Sequence, residues 1–263
     1  MSIPFEFDPG IPLRLSTDEL SFEYGPGLAG PAPERRRLDA IRPSLRDSEC
    51  TGPDPVYGIA MDIHRDQDLS QLQERMLLFG AVVYAAGQLG REPVRSQGHV
   101  HAVAAHSGWS PPEIFEIWSG TAIVYAQQSV MDDPGICMAV TAHPGQQVVV
   151  PPGWAHCVIN ADPTRRMAFG AWCDRQYGFE YAAVRARHGL AWFPILNEGG
   201  SIGWEANPHY ALSKLETRGA RAYSELGLDT RSPLYRQFID NPDSVMFVAE
   251  PQRAQELWPN FVP

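Results

Sequence analysis

The sequence has almost no lysine. Of its 21 basic residues only Lys214 is a lysine, and no glycine-rich loop precedes it. A Schiff-base mechanism needs a reactive lysine, and a P-loop needs a lysine directly after its glycines. The sequence therefore excludes a P-loop and argues strongly against imine chemistry.

Positive charge, paired cysteines and long apolar runs are also scarce. The 31 acidic residues outnumber the bases and give a net charge of −10, which argues against a nucleic-acid partner. The four cysteines lie far apart, without a Cys-x-x-Cys pair, unlike a zinc finger or a disulfide scaffold. The longest apolar run, residues 77–87, is too short to span a bilayer, and no signal-peptide pattern opens the chain. We expect a cytoplasmic protein with no membrane partner.

The proline content and the pattern of apolar residues divide the 263 residues into three parts of one domain. Residues 1–55 are interrupted by prolines and predict an N-terminal wrapping arm with one short helix near residues 34–41. Residues 56–181 predict an all-β barrel core. Residues 182–263 predict a C-terminal strand and helical extension.

The prediction of a β core rests on many short apolar stretches separated by Gly and Pro turns, which are typical of a sandwich or barrel. The predicted strands are residues 56–63, 77–84, 94–103, 114–118, 122–127, 137–141, 147–150, 157–159 and 167–172. In the C-terminal extension, the spacing of apolar residues predicts helices over residues 210–226, 233–239 and 251–258.

Histidines provide the main functional signal. His99 and His101 lie two apart in a predicted strand, so their side chains share a face. Glu113 and His156 follow later in the sequence, each directly before a predicted strand. Three imidazoles and one carboxylate suit Fe(II), Mn(II), Ni(II) or Zn(II) and leave coordination positions open for a substrate. We predict one divalent metal ion per chain, held by His99, His101, Glu113 and His156.

These residues fit two motifs in order, and together they resemble the cupin superfamily. The first motif is His-x-His, then Glu, six residues and Gly, here His99, His101, Glu113 and Gly120. The second motif places Gly, Pro-x-Gly, His and Asn at fixed spacings, here Gly145, Pro151, Gly153, His156 and Asn160. The resemblance implies a cupin double-stranded β-helix, or jelly-roll barrel.

Within the cupins, the sequence most resembles the archaeal-type glucose-6-phosphate isomerases, over about residues 11–210. The stretches that carry this resemblance are residues 54–57, 98–101, 112–116, 150–156, 177–181 and 207–208. The resemblance implies a metal-dependent aldose–ketose isomerase that interconverts glucose 6-phosphate and fructose 6-phosphate. It also favours Fe(II) and a homodimer.

The resemblance further implies roles for individual residues. A metal ion bound to the oxygens at C1 and C2 would stabilise a cis-enediolate, with Glu113 as the first candidate for the base, or it would assist a hydride shift. Both mechanisms stay open. Ser96 and Tyr181 keep hydroxyl groups where the family binds its substrate, and Arg95 or Arg91 is a candidate phosphate ligand.

Two aromatic residues keep other cupin functions open. Phe115 stands where these isomerases usually carry Tyr, and Phe179 where some carry His. Both changes remove polar groups from the expected pocket. The alternative function is therefore a non-haem iron oxygenase or another cupin enzyme that acts on a less polar small molecule. A binding or storage module without catalysis is a third hypothesis.

Overall fold

Prolines keep the elements of the N-terminal segment short. The computed structural model describes all 263 residues. The elements of this segment are β1 (Ser2–Ile3), β2 (Leu13–Ser16), β3 (Phe22–Tyr24), β4 (Leu28–Ala29), β5 (Glu34–Arg36) and helix α1 (Leu38–Ile41). Strands β1, β2 and β3 form a small antiparallel sheet. The helix predicted near residues 34–41 is thus only α1, because residues 34–36 pair with a core strand instead.

The middle of the chain holds the strands of the core. They are β6 (Tyr57–Met61), β7 (His64–Arg65), helix α2 (Leu69–Glu74), β8 (Leu77–Tyr84), β9 (Gln88–Leu89), β10 (Glu92–Pro93), β11 (Val100–His101), β12 (Glu113–Ser119), β13 (Ala122–Gln127), β14 (Cys137–Ala142), β15 (Gln147–Val150), β16 (Ala155–Asn160), β17 (Met167–Asp174) and β18 (Phe179–Glu180). The prediction of one strand over residues 94–103 is wrong. Gly98 has a φ of +89°, which breaks the extended backbone there.

The remaining elements complete the C-terminal part. They are α3 (Ala182–Ala186), β19 (Trp192–Leu196), β20 (Ile202–Ala206), β21 (Leu215–Gly219) and α4 (Leu234–Asp240), followed by 3-10 turns at Pro242–Val248, Pro251–Ala254 and Trp258–Asn260. The α4 helix agrees with the helix predicted over 233–239. The structure holds no helix with the length and apolarity to cross a bilayer.

The helix predicted over residues 210–226 is wrong. Residues 215–219 form β21, which pairs in parallel with β14, and only a 3-10 turn follows at Ser224–Leu226. The apolar spacing is misleading because Leu212 is 87% exposed and does not pack. The backbone groups at the edge of β14 find hydrogen-bond partners in β21, which a helix could not supply. The helix predicted over 251–258 is likewise replaced by 3-10 turns.

Two sheets form the body of the protein. One has six antiparallel strands in the order β15-β12-β17-β8-β6-β5, and the other has four in the order β16-β13-β14-β21. Their facing sides share one apolar cluster, with Val82, Phe115 and Phe169 from the first sheet and Val124 and Val158 from the second. The predicted all-β jelly-roll fold is confirmed.

The terminal segments cover the outer face of the six-stranded sheet. Trp118 and Trp172 lie on this face and are fully buried. The ring of Phe5 packs 5.0 Å from Trp118, and the ring of Tyr235 stacks 5.5 Å from Trp172. Because both faces of the sheet are covered, its central strands are buried at every residue rather than at alternate ones.

A buried carboxylate joins the C-terminal helix to this outer face. Glu116 is fully buried and accepts hydrogen bonds from Trp118 Nε1 at 3.0 Å and from the Leu234 amide at 2.8 Å. Leu234 is the first residue of α4, so Glu116 pairs with an amide that has no partner within the helix. Burial raises the pKa of Glu116 to about 7.

We predict that Glu116→Gln changes the pH dependence of stability. A folded-state pKa above the unfolded one stabilises the protein at low pH, and this part is lost as pH rises through the folded pKa. Between pH 4.5 and about 7 the wild-type protein should therefore lose on the order of 3 kcal/mol relative to the variant. Urea unfolding of both metal-free proteins across this range measures the difference. Parallel curves for the two proteins would contradict the prediction.

Candidate metal centre

Four side chains from three separate parts of the chain converge between the sheets. They are His99, His101, Glu113 and His156, and their candidate ligand atoms all lie within 4.8 Å of one another. The sequence analysis named the same four residues. The structure thus brings together the whole predicted metal-binding set.

Backbone pairing brings two of the histidines together. The His99 amide donates to the His156 carbonyl at 3.1 Å, and the His156 amide donates to the His99 carbonyl at 3.0 Å. Their ring centroids are consequently 4.4 Å apart. Position 98, just before His99, requires a glycine, because a Cβ there would lie only 2.8 Å from the side chain of Leu190. His101 follows on the same face, with its ring centroid 5.1 Å from that of His99.

The carboxylate comes from the six-stranded sheet. Glu113 is the first residue of β12 and pairs with Val150 of β15. Alternation along the strand turns Glu113 and Phe115 towards the space between the sheets and Glu116 towards the outer face. Glu113 is 6% exposed, so its charge is largely removed from water. A buried carboxylate needs a partner of opposite charge or a metal ion.

The hydrogen bonds of the histidines orient their lone pairs. The Nδ1 atom of His101 lies 2.9 Å from the Pro111 carbonyl, and that of His156 lies 3.2 Å from the Trp154 carbonyl. A carbonyl only accepts, so Nδ1 carries the proton in both rings and each Nε2 has a lone pair. These Nε2 atoms lie 3.2 Å and 3.0 Å from Glu113 Oε2. Acceptors that converge in this way repel one another unless a proton or a cation lies between them.

The donor set fits a divalent metal ion. The Nε2 atoms of His99 and His101 are buried and make no hydrogen bond, since the contact of His101 with Glu113 lacks suitable angles. Unpaired buried acceptors are costly, whereas a metal ion satisfies them all at once. A backbone carbonyl that accepts from Nδ1, as for His101 and His156, is a usual way in which a protein fixes a histidine ligand. Three nitrogens and one oxygen suit the first-row divalent metals.

The electrostatics favour the metal-binding form of two of the four side chains, Glu113 and His99. Burial would raise the pKa of Glu113, but the adjacent imidazoles of His101 and His156 outweigh this and hold the pKa well below its usual range. Burial, together with the neighbouring His156 and His101, lowers the pKa of His99. For His101, burial acts to lower the pKa, but the Glu113 carboxylate outweighs it and the pKa is raised. An ionised carboxylate beside a neutral His99 is what metal binding requires.

A cysteine holds the second oxygen of the carboxylate. Cys173 lies on β17, fully buried, and its thiol donates to Glu113 Oε1 at 3.1 Å. This contact leaves Oε2 directed at the histidines. No local sequence signal marks Cys173 for this role. The contact arises from β12 and β17 lying side by side.

A cavity with mixed walls leads to the cluster and is lined by three of its four members, His99, Glu113 and His156. Ser96 and Tyr181, the predicted substrate contacts, both line it. Phe115 and Phe179 also line it, and the ring centroid of Phe179 lies 4.5 Å from that of His99. More than half of its 19 lining residues are hydrophobic, among them Ile59, Met61, Val82, Val158, Phe169 and Ala171.

The structure contradicts the substrate-binding role predicted for Arg95. This side chain is 2% exposed and does not line the cavity. Its Nε donates to Glu92 at 2.6 Å, and its Nη2 donates to the Ser44 carbonyl at 2.7 Å. Arg95 therefore ties the N-terminal segment to the core. Arg91 is exposed and also lies outside the cavity.

A different basic side chain, which the sequence analysis did not predict, lines the cavity. Arg36 of β5 lines it, together with Tyr57, Tyr84 and Gln97. Arg36 pairs with Tyr57 across β5 and β6, so a residue of the proline-rich arm enters the core sheet. No local motif could have indicated this placement.

Comparisons with known proteins indicate the family of this chain. The family model "Glucose-6-phosphate isomerase (GPI)" matches residues 39–212. The glucose-6-phosphate isomerase of Thermococcus gammatolerans is 26% identical over 181 residues, which cover 67% of this chain and 87% of that protein. The enzyme of the same name from Thermococcus onnurineus is 27% identical over 183 residues, with 66% and 86% covered.

Solved structures give only a distant likeness. An oxalate oxidase aligns with a TM-score of 0.32 and 18% identity, over 40% of this chain and 45% of that chain. A vicilin from Capsicum annuum aligns with a TM-score of 0.33 and 9% identity, over 47% and 30%. Likeness at this level says nothing about activity.

The family match, in contrast, covers about two thirds of the chain and includes every strand that carries the four clustered side chains. This chain belongs to the glucose-6-phosphate isomerase family.

Proposed function

We propose that this protein is a metal-dependent aldose–ketose isomerase that interconverts glucose 6-phosphate and fructose 6-phosphate. The observation that carries the proposal is the group of His99, His101, Glu113 and His156 at a cavity between the sheets, in a chain of this family. The isomerisation moves hydrogen between C1 and C2 of the sugar, so the site must hold both carbons beside a group that handles the proton.

The four clustered residues would hold one divalent ion, which when bound supplies Lewis-acid polarisation of the sugar oxygens at C1 and C2. Glu113 is the only carboxylate that lines the cavity. A proton that leaves carbon would therefore be held on this carboxylate. The near absence of lysine fits this assignment, because it leaves no lysine in the cavity for imine formation.

Ser96 and Tyr181 are proposed to bind the substrate away from the reacting carbons. The Ser96 hydroxyl accepts from the Val158 amide at 3.1 Å, so its own proton can be donated elsewhere. The Tyr181 ring lies under the Arg185 guanidinium, 5.0 Å from its centroid, which fixes the ring at the cavity wall. Both side chains are partly exposed at the cavity wall, where a ligand can reach them.

Three finer assignments complete the proposal: Fe(II) as the metal, a homodimer as the assembly and the cytoplasm as the location. All three rest on the family resemblance. The division into arm, core and extension is also proposed. Its support is the change in proline content near residue 55 and the change from strand-like to helical spacing near residue 181.

A second candidate function is favoured by the apolar walls of the cavity. Phe115, Phe179 and Phe169 present aromatic surface near the metal-binding group. Such walls also suit an iron oxygenase with a less polar substrate. The two candidates differ in their need for oxygen.

We predict that the isomerase activity depends on the metal and on His156. Chelation should abolish conversion of fructose 6-phosphate, and Fe(II) or Mn(II) should restore it. His156→Ala should lower kcat/KM by about a thousandfold, because it removes a ligand and leaves the Glu113 charge without its partner. Metal analysis should then find far less than one ion per chain. His143→Ala, an exposed histidine, is the control and should keep full activity and metal content. Metal-free protein with full activity would rule out the proposal.

Oxygen separates the two candidate functions. An isomerase neither consumes nor needs O₂, so we expect the rate on fructose 6-phosphate to be the same in air and under argon. An oxygen electrode should record no consumption during turnover. An activity that appears only in air, with oxygen uptake in proportion to product, would replace the isomerase by the oxygenase.

We predict that Cys173→Ala weakens metal binding without unfolding the protein. The substitution removes the donor to Glu113 Oε1, and loss of such an outer contact typically lowers metal affinity about 10- to 100-fold. Competition titration with a chromogenic chelator measures the affinity. Cys173→Ser keeps a donor and should recover most of it. Cys157→Ala is the matched control, because Cys157 is also buried and follows His156 but packs in another cluster. Equal losses in both alanine variants would show that only packing matters.

A further inference from the structure

Two buried hydrogen-bond donors in the cavity have no partner. The Nε atom of Arg36 and the Nε2 atom of Gln97 are both inaccessible to solvent and make no hydrogen bond. Both residues line the cavity that holds the metal-binding group. Buried donors are almost always paired in native proteins, so two unpaired ones in one cavity point to a ligand that accepts from both.

The amide of Gln97 is fixed in this orientation. Its Oε1 accepts from Arg185 Nε at 2.9 Å, which turns Nε2 away from Arg185. The side chain is 1% exposed, so it cannot rotate into solvent to find water. Arg185 itself is held by the Ala40 carbonyl at 3.2 Å. The free amide donor is thus built into the fold.

Arg36 supplies a positive charge at the same place. Its side chain is 19% exposed, and its Nη2 lies 3.0 Å from Glu34, which is mostly in solvent. Water screens the Glu34 charge strongly, whereas the part of the guanidinium in the cavity faces apolar walls and phenols. A guanidinium with an unpaired Nε attracts an anion strongly in such a setting.

We propose that Arg36 and Gln97 form an anion subsite that holds the phosphate group of the substrate. A phosphate monoester has three terminal oxygens, which can accept from the guanidinium, from the amide and from hydroxyls such as Ser96 on the same wall. The family match begins at residue 39, so Arg36 lies outside the matched region. The identity of the substrate rests on the proposed function, but the anion subsite does not.

Binding of inorganic phosphate to the metal-free protein tests the subsite directly, because no metal then competes for the anion. We expect calorimetric titration to show binding to the wild-type protein and about tenfold weaker binding to Arg36→Gln. Arg35→Gln is the matched control. Arg35 neighbours Arg36 on the same strand but is exposed and pairs with Glu19, so its variant should bind phosphate as the wild type does. Gln97→Met, which keeps the size without the donor, should also weaken binding and serves if Arg36→Gln unfolds.

The kinetics separate the subsite from the proposed function. With metal-loaded enzyme, Arg36→Gln should raise KM for fructose 6-phosphate about tenfold with little change in kcat, because the phosphate is remote from the reacting carbons. Phosphate affinity in both Arg36→Gln and Gln97→Met equal to that of the wild type would overturn the subsite, even if the protein is an isomerase. Phosphate binding that depends on Arg36, in a protein that isomerises no sugar phosphate, would support the subsite and reject the proposed function.

Discussion

The convergence of lone pairs on Glu113 Oε2 is the constraint around which the protein is organised. Two imidazole nitrogens approach this oxygen at 3.0–3.2 Å, and carbonyls on their far sides fix both rings. A third imidazole, His99, has a buried Nε2 without a partner beside them. Such an arrangement is unfavourable on its own and becomes favourable around a cation. The two facing sheets hold the ligands in place, since each sheet contributes at least one of them.

Burial of the six-stranded sheet on both faces makes this placement rigid. Its inner face carries Glu113 and Cys173, and its outer face carries Trp118 and Trp172 under the terminal segments. A strand that is packed on both sides has little freedom to shift its register, so the Glu113 carboxylate keeps its direction. Most of the two terminal segments act on the site from a distance, by completing the core behind it, whereas Arg36 of the N-terminal segment lines the cavity itself.

The cavity does not share the negative charge of the protein. The chain as a whole carries −10, but the only carboxylate of the cavity, Glu113, is matched by Arg36, and a bound divalent ion would add two positive charges. An anionic sugar phosphate is thus compatible with an acidic protein, because the local field and not the net charge acts on the bound ligand. The apolar walls strengthen that field by excluding water.

Some features could be predicted from the sequence because they are local. Strands such as 77–84 and 147–150 were predicted with correct bounds, since a short apolar run between turn residues has few alternatives. The metal-binding set followed from the spacing of two motifs. Residues 210–226 were predicted wrongly, because partial helical periodicity could not show that the edge of β14 needs a partner.

The sequence by itself determined the all-β class, the family and the four residues that could bind a metal ion, because each depends on residue types at fixed short spacings. Only the tertiary structure decided which basic side chain lines the cavity and which groups form hydrogen bonds with the Glu113 carboxylate. Arg95 is close to the His-x-His motif, but its guanidinium is already hydrogen-bonded to Glu92 and to the Ser44 carbonyl. Arg36, in contrast, is brought to the cavity by the pairing of β5 with β6. Cys173 reaches Glu113 across two strands that are 60 residues apart in the chain. Such contacts depend on long-range pairing, which leaves no mark on the neighbouring sequence.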